Sequence, residues 1–321
     1  MEHSERMQRH PLPPSLGTAF AVGTALGLGV TPSRLRAHDL RAPFHGVRAL
    51  RAEHAPDTPE SVLLERADHY ANRMSTHEFF THVTAAVIWG LPLPYGVVAG
   101  RRLEVAVTWP RRAAEGRGIT AHAIRPTLAH RCVHPGTGLA VSTPATTWAL
   151  LDAVLTRLED LVAAGDAIVR VPMYAKDPPA LGTIDHLRAA MEAGRRVGID
   201  RLREALPLVI ERSRSRPESW LRLILQDAGL PVPEANFDVV ERGVWLGQVD
   251  LAYPELRIAI EYEGEHHLTD PVQWAADIAR MDRLVEAGWR VLRVTKEGVF
   301  AHRGRTVERV RRAIADAAAA R

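Results

Sequence analysis

The chain has 321 residues, 46% hydrophobic and 25% charged, with 41 basic and 38 acidic side chains and a net charge of +3. These are ordinary values for a globular protein with room for two or three domains, and the near-neutral balance does not mark a dedicated nucleic-acid binder. Cys132 is the sole cysteine, which excludes an internal disulfide and a Cys-based zinc site and fits a reducing, cytoplasmic setting. Lys176 and Lys296 are the only lysines among the basic residues. Arginine suits bidentate phosphate contacts, but the abundance of alanine beside it points to base-composition bias.

Residues 1–15 are polar and Pro-rich and read as a tail. Residues 16–30, LGTAFAVGTALGLGV, are apolar but Gly-rich and shorter than a bilayer span. A helix is preferred there over a signal peptide following Arg6 and Arg9. Residues 16–40 are predicted as helix, turn, helix, with Thr31 as N-cap and Pro32 at the first helical position. Leu35 and Leu40 would pack inward, and Ser33, Arg34, Arg36 and His38 would project. With residues 41–50 as a wing strand, 16–56 is a candidate winged helix-turn-helix offering its second helix to a DNA major groove. Arg34, Arg36 and Arg41 are its candidate DNA contacts. The alternative is a short helical pair packed on the next domain.

Residues 57–72 are predicted as a helix opened by Thr58-Pro59-Glu60. Residues 75–89 are predicted as one helix, with Ser75 as cap and Glu78 completing a capping box. Strands follow at 103–109, 118–124, 131–134 and 138–142, then helices at 143–155 and 158–170. This is an α+β pattern. His77, His82, His122, His130 and His134 lack regular metal-ligand spacing and are read as surface or structural residues. Residues 171–182, with Pro172, Pro178, Pro179 and Gly182, read as a linker that closes a domain over 57–182. Helices at 183–195 and 199–210 form a connector, 183–216.

The last domain, 217–321, opens with the amphipathic helix PESWLRLILQDAGL. Its apolar stripe is Trp220, Leu221, Ile224 and Leu225, and Glu218 sits in the first turn, where a carboxylate suits the helix dipole. Strands at 236–241 and 244–252 flank Gly243. A turn at Tyr253-Pro254-Glu255-Leu256 leads into the strand 258–262. If 254–257 form a four-residue loop, Ala252 pairs with Ala259 and Asp250 lies opposite Glu261. Glu263 then shares the side of Glu261. The expectation is one apolar sheet face, carrying Val249, Leu251, Tyr253, Ile258, Ile260 and Tyr262, and a carboxylate cluster on the other. Like charges directly opposite each other are destabilising, so a cation is expected among them. A helix at 271–287 capped by Asp270, a strand at 289–295 and a helix at 303–319 complete the chain.

Four pieces within residues 16–170, GVTPSRLR, HVTAAVIWGLPLP, VAVTWP and GLAVSTPATTWALLD, resemble the AbiEi-type antitoxin family. That resemblance implies a winged helix-turn-helix, transcriptional autoregulation and a toxin or other protein as partner. The C-terminal pieces PESWLR, QVDLAYPE, AIEYEGEHH, Asp277, Arg280 and GWRVLRVT, in order, resemble the PD-(D/E)-x-K nuclease superfamily. More narrowly, they look like the family related to very-short-patch-repair endonucleases. This second resemblance implies an α/β restriction-endonuclease-like domain with a mixed sheet flanked by helices, hydrolysing DNA phosphodiester bonds with Mg²⁺ or Mn²⁺. It makes Asp250 and Glu261 the metal ligands, beside the Tyr262 carbonyl, with Glu218 orienting a metal-bound water. Oxygen ligands suit Mg²⁺, which is held by one or two carboxylates plus substrate phosphate.

Glu263 stands where the superfamily has its lysine, as in the narrower family. His266 and His267 could move protons in the lysine's place. Arg280, held by Asp277 one turn away, could contact phosphate, and Lys296 is a third candidate. The expected function is a metal-dependent endonuclease tethered to a regulatory DNA-binding region. The alternative is a non-catalytic antitoxin-like transcriptional regulator that uses the nuclease fold as a binding module. Neither implies a membrane partner.

Overall fold

The computed structural model describes residues 11–51, 56–113, 115–196, 198–264 and 271–320. The chain divides into two compact units, residues 1–154 with 192–195 and residues 155–191 with 196–321. It is a mixed α/β protein with sheets of three, four and five strands. Among the described residues, no helix is long and apolar enough to cross a membrane.

The first unit begins with β1 (Ala19–Ala21) and α1 (Val22–Gly27), followed by β2 (Leu40–Arg41) and β3 (Val47–Leu50). The three strands form an antiparallel sheet in the order β1-β3-β2. Leu35 and Leu40 do pack inward, in a small core with Leu16, Phe20 and Ala25. The expected second helix does not form: the segment holds only a 3-10 turn, Arg34–Arg36. Arg34 grips Asp39 with both terminal nitrogens, at 3.0 and 2.8 Å, and Leu40 enters β2, so the chain turns away before an α-helix can extend. The expected first helix is also shorter, because residues 19–21 pair with β3 as a strand.

Next come α2 (Pro59–Ala71), β4 (Glu78–Phe80), α3 (His82–Ile88), α4 (Tyr95–Val98), β5 (Leu103–Thr108), β6 (Ile119–Ile124), β7 (Arg131–Val133), β8 (Ala140–Ser142) and α5 (Pro144–Leu151). Thr58 and Ser61 cap α2 reciprocally, and Leu63, Ala67 and Tyr70 are its buried stripe. The five-stranded sheet runs β6-β5-β4-β8-β7. The single helix expected over 75–89 is divided, with β4 preceding α3. Phe79 and Phe80 are fully buried as strand residues, and Phe79 joins a core with Ala106, Ile124 and Leu128. Glu78 does accept from the Ser75 backbone N–H at 2.7 Å, but it also accepts from the Tyr70 hydroxyl, and the bonds close a turn rather than a helix.

The second unit contains α6 (Leu158–Val169), α7 (Ile184–Glu192, its last residue on the boundary), α8 (Ile199–Ala205), α9 (Arg216–Asp227), β9 (Glu234–Glu241), β10 (Val244–Tyr253), β11 (Ile258–Glu263), α10 (Pro271–Glu286), β12 (Arg290–Thr295), α11 (Lys296–Phe300) and α12 (Arg303–Ala319). Strand order is β12-β11-β10-β9, antiparallel except for the parallel pair β11–β12. Ala252 pairs with Ala259, as the turn chemistry implied. The loop is a 3-10 turn, Pro254–Leu256, closed by Arg257 in the left-handed region.

Both faces of this sheet are apolar over much of their area, which corrects the expected division into one apolar and one acidic face. Leu251, Tyr253, Ile258 and Ile260 pack with Trp220, Leu221 and Val310. Ala252 and Ala259 pack with Leu284 of α10 and Trp289, and Val249 joins this second core instead of the first. Small residues at 252 and 259 let the helix lie close, and the acids are confined to one end of its face.

Candidate functional site

Three acids meet at that end, one from each of three elements. Ser215 caps α9 by accepting from the Glu218 backbone N–H, which places Glu218 in the first turn. Its carboxylate is buried, and Oε2 accepts from the Arg214 backbone N–H at 2.9 Å and from Asn236 Nδ2 at 2.7 Å. Asn236 is itself held by Arg212: its amide donates to the Arg212 carbonyl at 2.7 Å, and Arg212 Nη2 donates to the Asn236 carbonyl at 2.6 Å.

Asp250, on β10, is partly buried and accepts the Tyr262 backbone N–H at 2.7 Å. This ties it across the hairpin beside Glu261, as the register implies. Burial raises the Asp250 carboxyl well above the usual carboxylate range. The charges of Glu218 and Glu261 raise it further, against the opposing pull of the Tyr262 N–H and Arg280. Glu261 is only 5% exposed. Its carboxyl is also raised by burial, though Arg280 offsets part of that effect.

The cation expected in the cluster is present as a side chain. Arg280, on α10, donates Nη1 to Glu261 Oε1 at 2.6 Å and to the Gln248 carbonyl at 2.6 Å, with Asp277 Oδ1 3.8 Å from Nη2. Burial acts against its charge, but Glu261, Asp277 and Asp250 outweigh that, and its pKa is raised. A β-bulge at Trp245/Gly247 makes room for it. Gly247 has φ 152, and a Cβ there would lie 2.8 Å from Arg280 Cγ and 2.9 Å from Cδ.

Glu263 turns to Arg293 on β12 and forms an ion pair with it. Lys296 is exposed at the first position of α11. His266 and His267 lie outside the described residues. In the first unit, Arg36 is exposed and Arg41 pairs with Glu65, while Arg34 pairs with Asp39 as described above.

The donor set around Asp250 and Glu261 is all oxygen, which suits a hard divalent ion. One oxygen of each is engaged, by Tyr262 and by Arg280. Glu218, Asp250 and Glu261 do not converge as a ready-made triad, however. Among the described residues, the one group of three ligating side chains with atoms within 4.8 Å of one another is His82, Glu104 and His122. Sequence reasoning passed over that group because its members come from α3, β5 and β6. It also passed over Asn236, whose role depends on the pairing of β9 with β10. A lone acid, Glu104, within the otherwise apolar strand run 103–107 was the one available signal.

No known family profile matches the chain, and no solved structure matches it. Two curated relatives do, both from Mycobacterium tuberculosis: uncharacterized protein Rv2248 of strain H37Rv and uncharacterized protein MT2308 of strain CDC 1551. Each is 30% identical over 200 residues, spanning 58% of this chain and 74% of the relative. At that identity and coverage, the chain belongs to the same family as these uncharacterized mycobacterial proteins.

Proposed function

We propose that the second unit is a restriction-endonuclease-like domain that hydrolyses DNA phosphodiester bonds with Mg²⁺ or Mn²⁺. The observation that carries this reading is that Glu218 on α9 and Glu261 on β11 both lie near enough to Asp250 on β10 for their charges, after burial, to raise its carboxyl. Crowded acids of this kind are relieved by a bound cation. The order helix, three strands, helix, strand, with the last two strands parallel, supports the same fold reading.

Asp250 and Glu261 would hold the metal, which when bound supplies a water of lowered pKa and stabilises charge on phosphoryl oxygens. Glu218, fixed by Asn236 and the Arg214 N–H, is placed to accept a hydrogen bond from a nucleophilic water. Arg280 supplies the cation that the superfamily carries on the strand, and it orients Glu261. The test is nicking of supercoiled plasmid by the purified chain with Mg²⁺ or Mn²⁺. Asp250→Ala and Glu261→Ala should abolish nicking, and Glu218→Gln should slow it by about 10–100-fold, as loss of an orienting group does. Cleavage that survives both alanine variants would sink the assignment.

The second reading is a non-catalytic regulator that uses this domain as a binding module. It is favoured by Arg280, which already neutralises Glu261, and by the lack of a converged acidic triad. Its DNA contacts would be Arg34, Arg36 and Arg41, and its partner a toxin or another protein. Gel shifts on the gene's own upstream DNA, together with absent cleavage and no loss of metal binding on Asp250→Ala, would establish it over the first.

A further inference from the structure

His82, Glu104 and His122 lie in the first unit and take no part in the acidic cluster of the second. His82 opens α3 and sits at φ 46, in the left-handed region, with only 8% of its surface exposed. Glu104 lies on β5 and is 2% exposed. His122 is on the neighbouring β6, whose parallel register pairs it with Ala106, two residues along from Glu104. The two imidazoles stack, with centroids 4.2 Å apart and planes 21° from parallel.

Glu104 has partners that explain its burial. Oε2 accepts the Val83 N–H at 2.8 Å, at the start of α3, and Oε1 accepts from Arg101 at 3.1 Å. The histidines have none that explain theirs. Nδ1 of His82 and Nε2 of His122 are both buried without a hydrogen-bond partner. His122 Nε2 comes no closer than 3.7 Å to Glu104 Oε1, beyond hydrogen-bond reach. Two orphaned ring nitrogens beside one carboxylate cost stability as they stand, since a buried polar atom without a partner forfeits its hydration.

We propose that His82, Glu104 and His122 bind a divalent ion of the zinc class, joining α3, β5 and β6 in the first unit. Two imidazole nitrogens and a carboxylate oxygen form a donor set that suits such an ion, and the fourth position is left to water. Donors around a tetrahedral ion lie roughly 3.4 Å apart, as follows from bond lengths near 2.1 Å. Here they lie within 4.8 Å of one another, so a small side-chain rotation closes the site. Burial, aided by His122, lowers the His82 pKa to about 4, so its ring is neutral near pH 7, the form that ligates metal. Arg101 is partly exposed at 34% and can swing aside when the ion takes up the carboxylate.

The proposal is independent of the nuclease reading, and its test keeps the two apart. The full-length chain, free of any polyhistidine tag, is stripped with chelator and titrated calorimetrically with Zn²⁺. Visible absorption of added Co²⁺ is followed in parallel. One ion per chain is expected in Asp250→Ala, and at least one in wild type, where the acids of the second unit are intact, with a higher melting temperature when loaded, and loss of one ion in His122→Ala. His122→Cys should retain Co²⁺ and add a thiolate-to-metal absorption band. The proposal is overturned if natively folded Asp250→Ala takes up no ion, or if His122→Ala binds as wild type does. If His122→Ala does not fold, the absence of the thiolate band in natively folded His122→Cys overturns it equally.

Discussion

Asp250 carries the clearest electrostatic signature in the protein, and its sign can be tested. Its folded pKa is raised above the ordinary value, by burial first and by Glu218 and Glu261 next. An acid raised on folding binds its proton more tightly in the native state. Its contribution to stability is therefore complete below about pH 4, the unfolded value, and is lost as pH rises towards the folded pKa. Asp250→Asn should accordingly raise the melting temperature at pH 8, and the gain should vanish near pH 4. An equal gain at both values would mean that ionisation is not the cause. Gly247→Ala acts on the same cluster from behind, because its Cβ would meet the Arg280 side chain at 2.8 Å. It is expected to cost about 1–3 kcal/mol by overpacking, measured by urea unfolding. Facing acids at 250 and 261 were legible in the sequence because a four-residue turn fixes the register. Arg280 was also named from the sequence, as a phosphate contact held by Asp277, but its direct bond to Glu261 was not, because it depends on how α10 packs against the bulged strand.

Among the elements, α9 shows what amphipathic patterning captures and what it omits. Trp220, Leu221, Ile224 and Leu225 were readable as its apolar stripe, and all four are buried. The polar side of the helix is buried as well, against α6. Asp160 accepts from Trp220 Nε1 and Arg216 Nε, both at 2.7 Å. Asp166 accepts from Ser219 at 2.7 Å, the Ile210 N–H at 2.7 Å and Arg222 at 3.2 Å. Despite the nearby Arg222 charge, burial outweighs it and raises the Asp166 pKa to about 6. Removing one member of a buried pair leaves the other charge uncompensated, so Asp166→Ala should destabilise by about 3–5 kcal/mol in denaturant titrations. Replacing both, with Asp166→Leu and Arg222→Met, should recover most of that loss. If the double variant is as unstable as the single, the ion pair is not the dominant interaction there. Sequence patterning named only the apolar stripe and left Asp160, Asp166 and Arg222 unassigned, because it sees one helix at a time. The division of 75–89 into β4 and α3 has a similar cause: Phe79 and Phe80 serve the sheet core, and that demand overrides a capping signal at Glu78.

At the scale of the whole molecule, the α6–α9 contact decides where the second unit starts. A boundary at 217 follows the change in sequence character, but it would cut away α6, Ser213 and the Ser215 cap. The compact unit instead runs over 155–191 and 196–321. A fragment beginning at 155 keeps Asp160 and Asp166 for α9, and it keeps the Arg212 and Arg214 backbone groups that hold Asn236 and Glu218. A fragment beginning at 217 loses all of these and exposes Trp220, Arg222 and Glu218, which are buried in the intact chain. Expression of the two should therefore differ in kind. The 155–321 fragment should unfold in one cooperative transition, whereas 217–321 should lack near-ultraviolet circular dichroism and melt without a sharp midpoint. Cooperative unfolding of 217–321 at a temperature close to that of the longer fragment would show that α6 is dispensable. That outcome would leave Asn236, on β9, to position Glu218 without the Arg214 N–H.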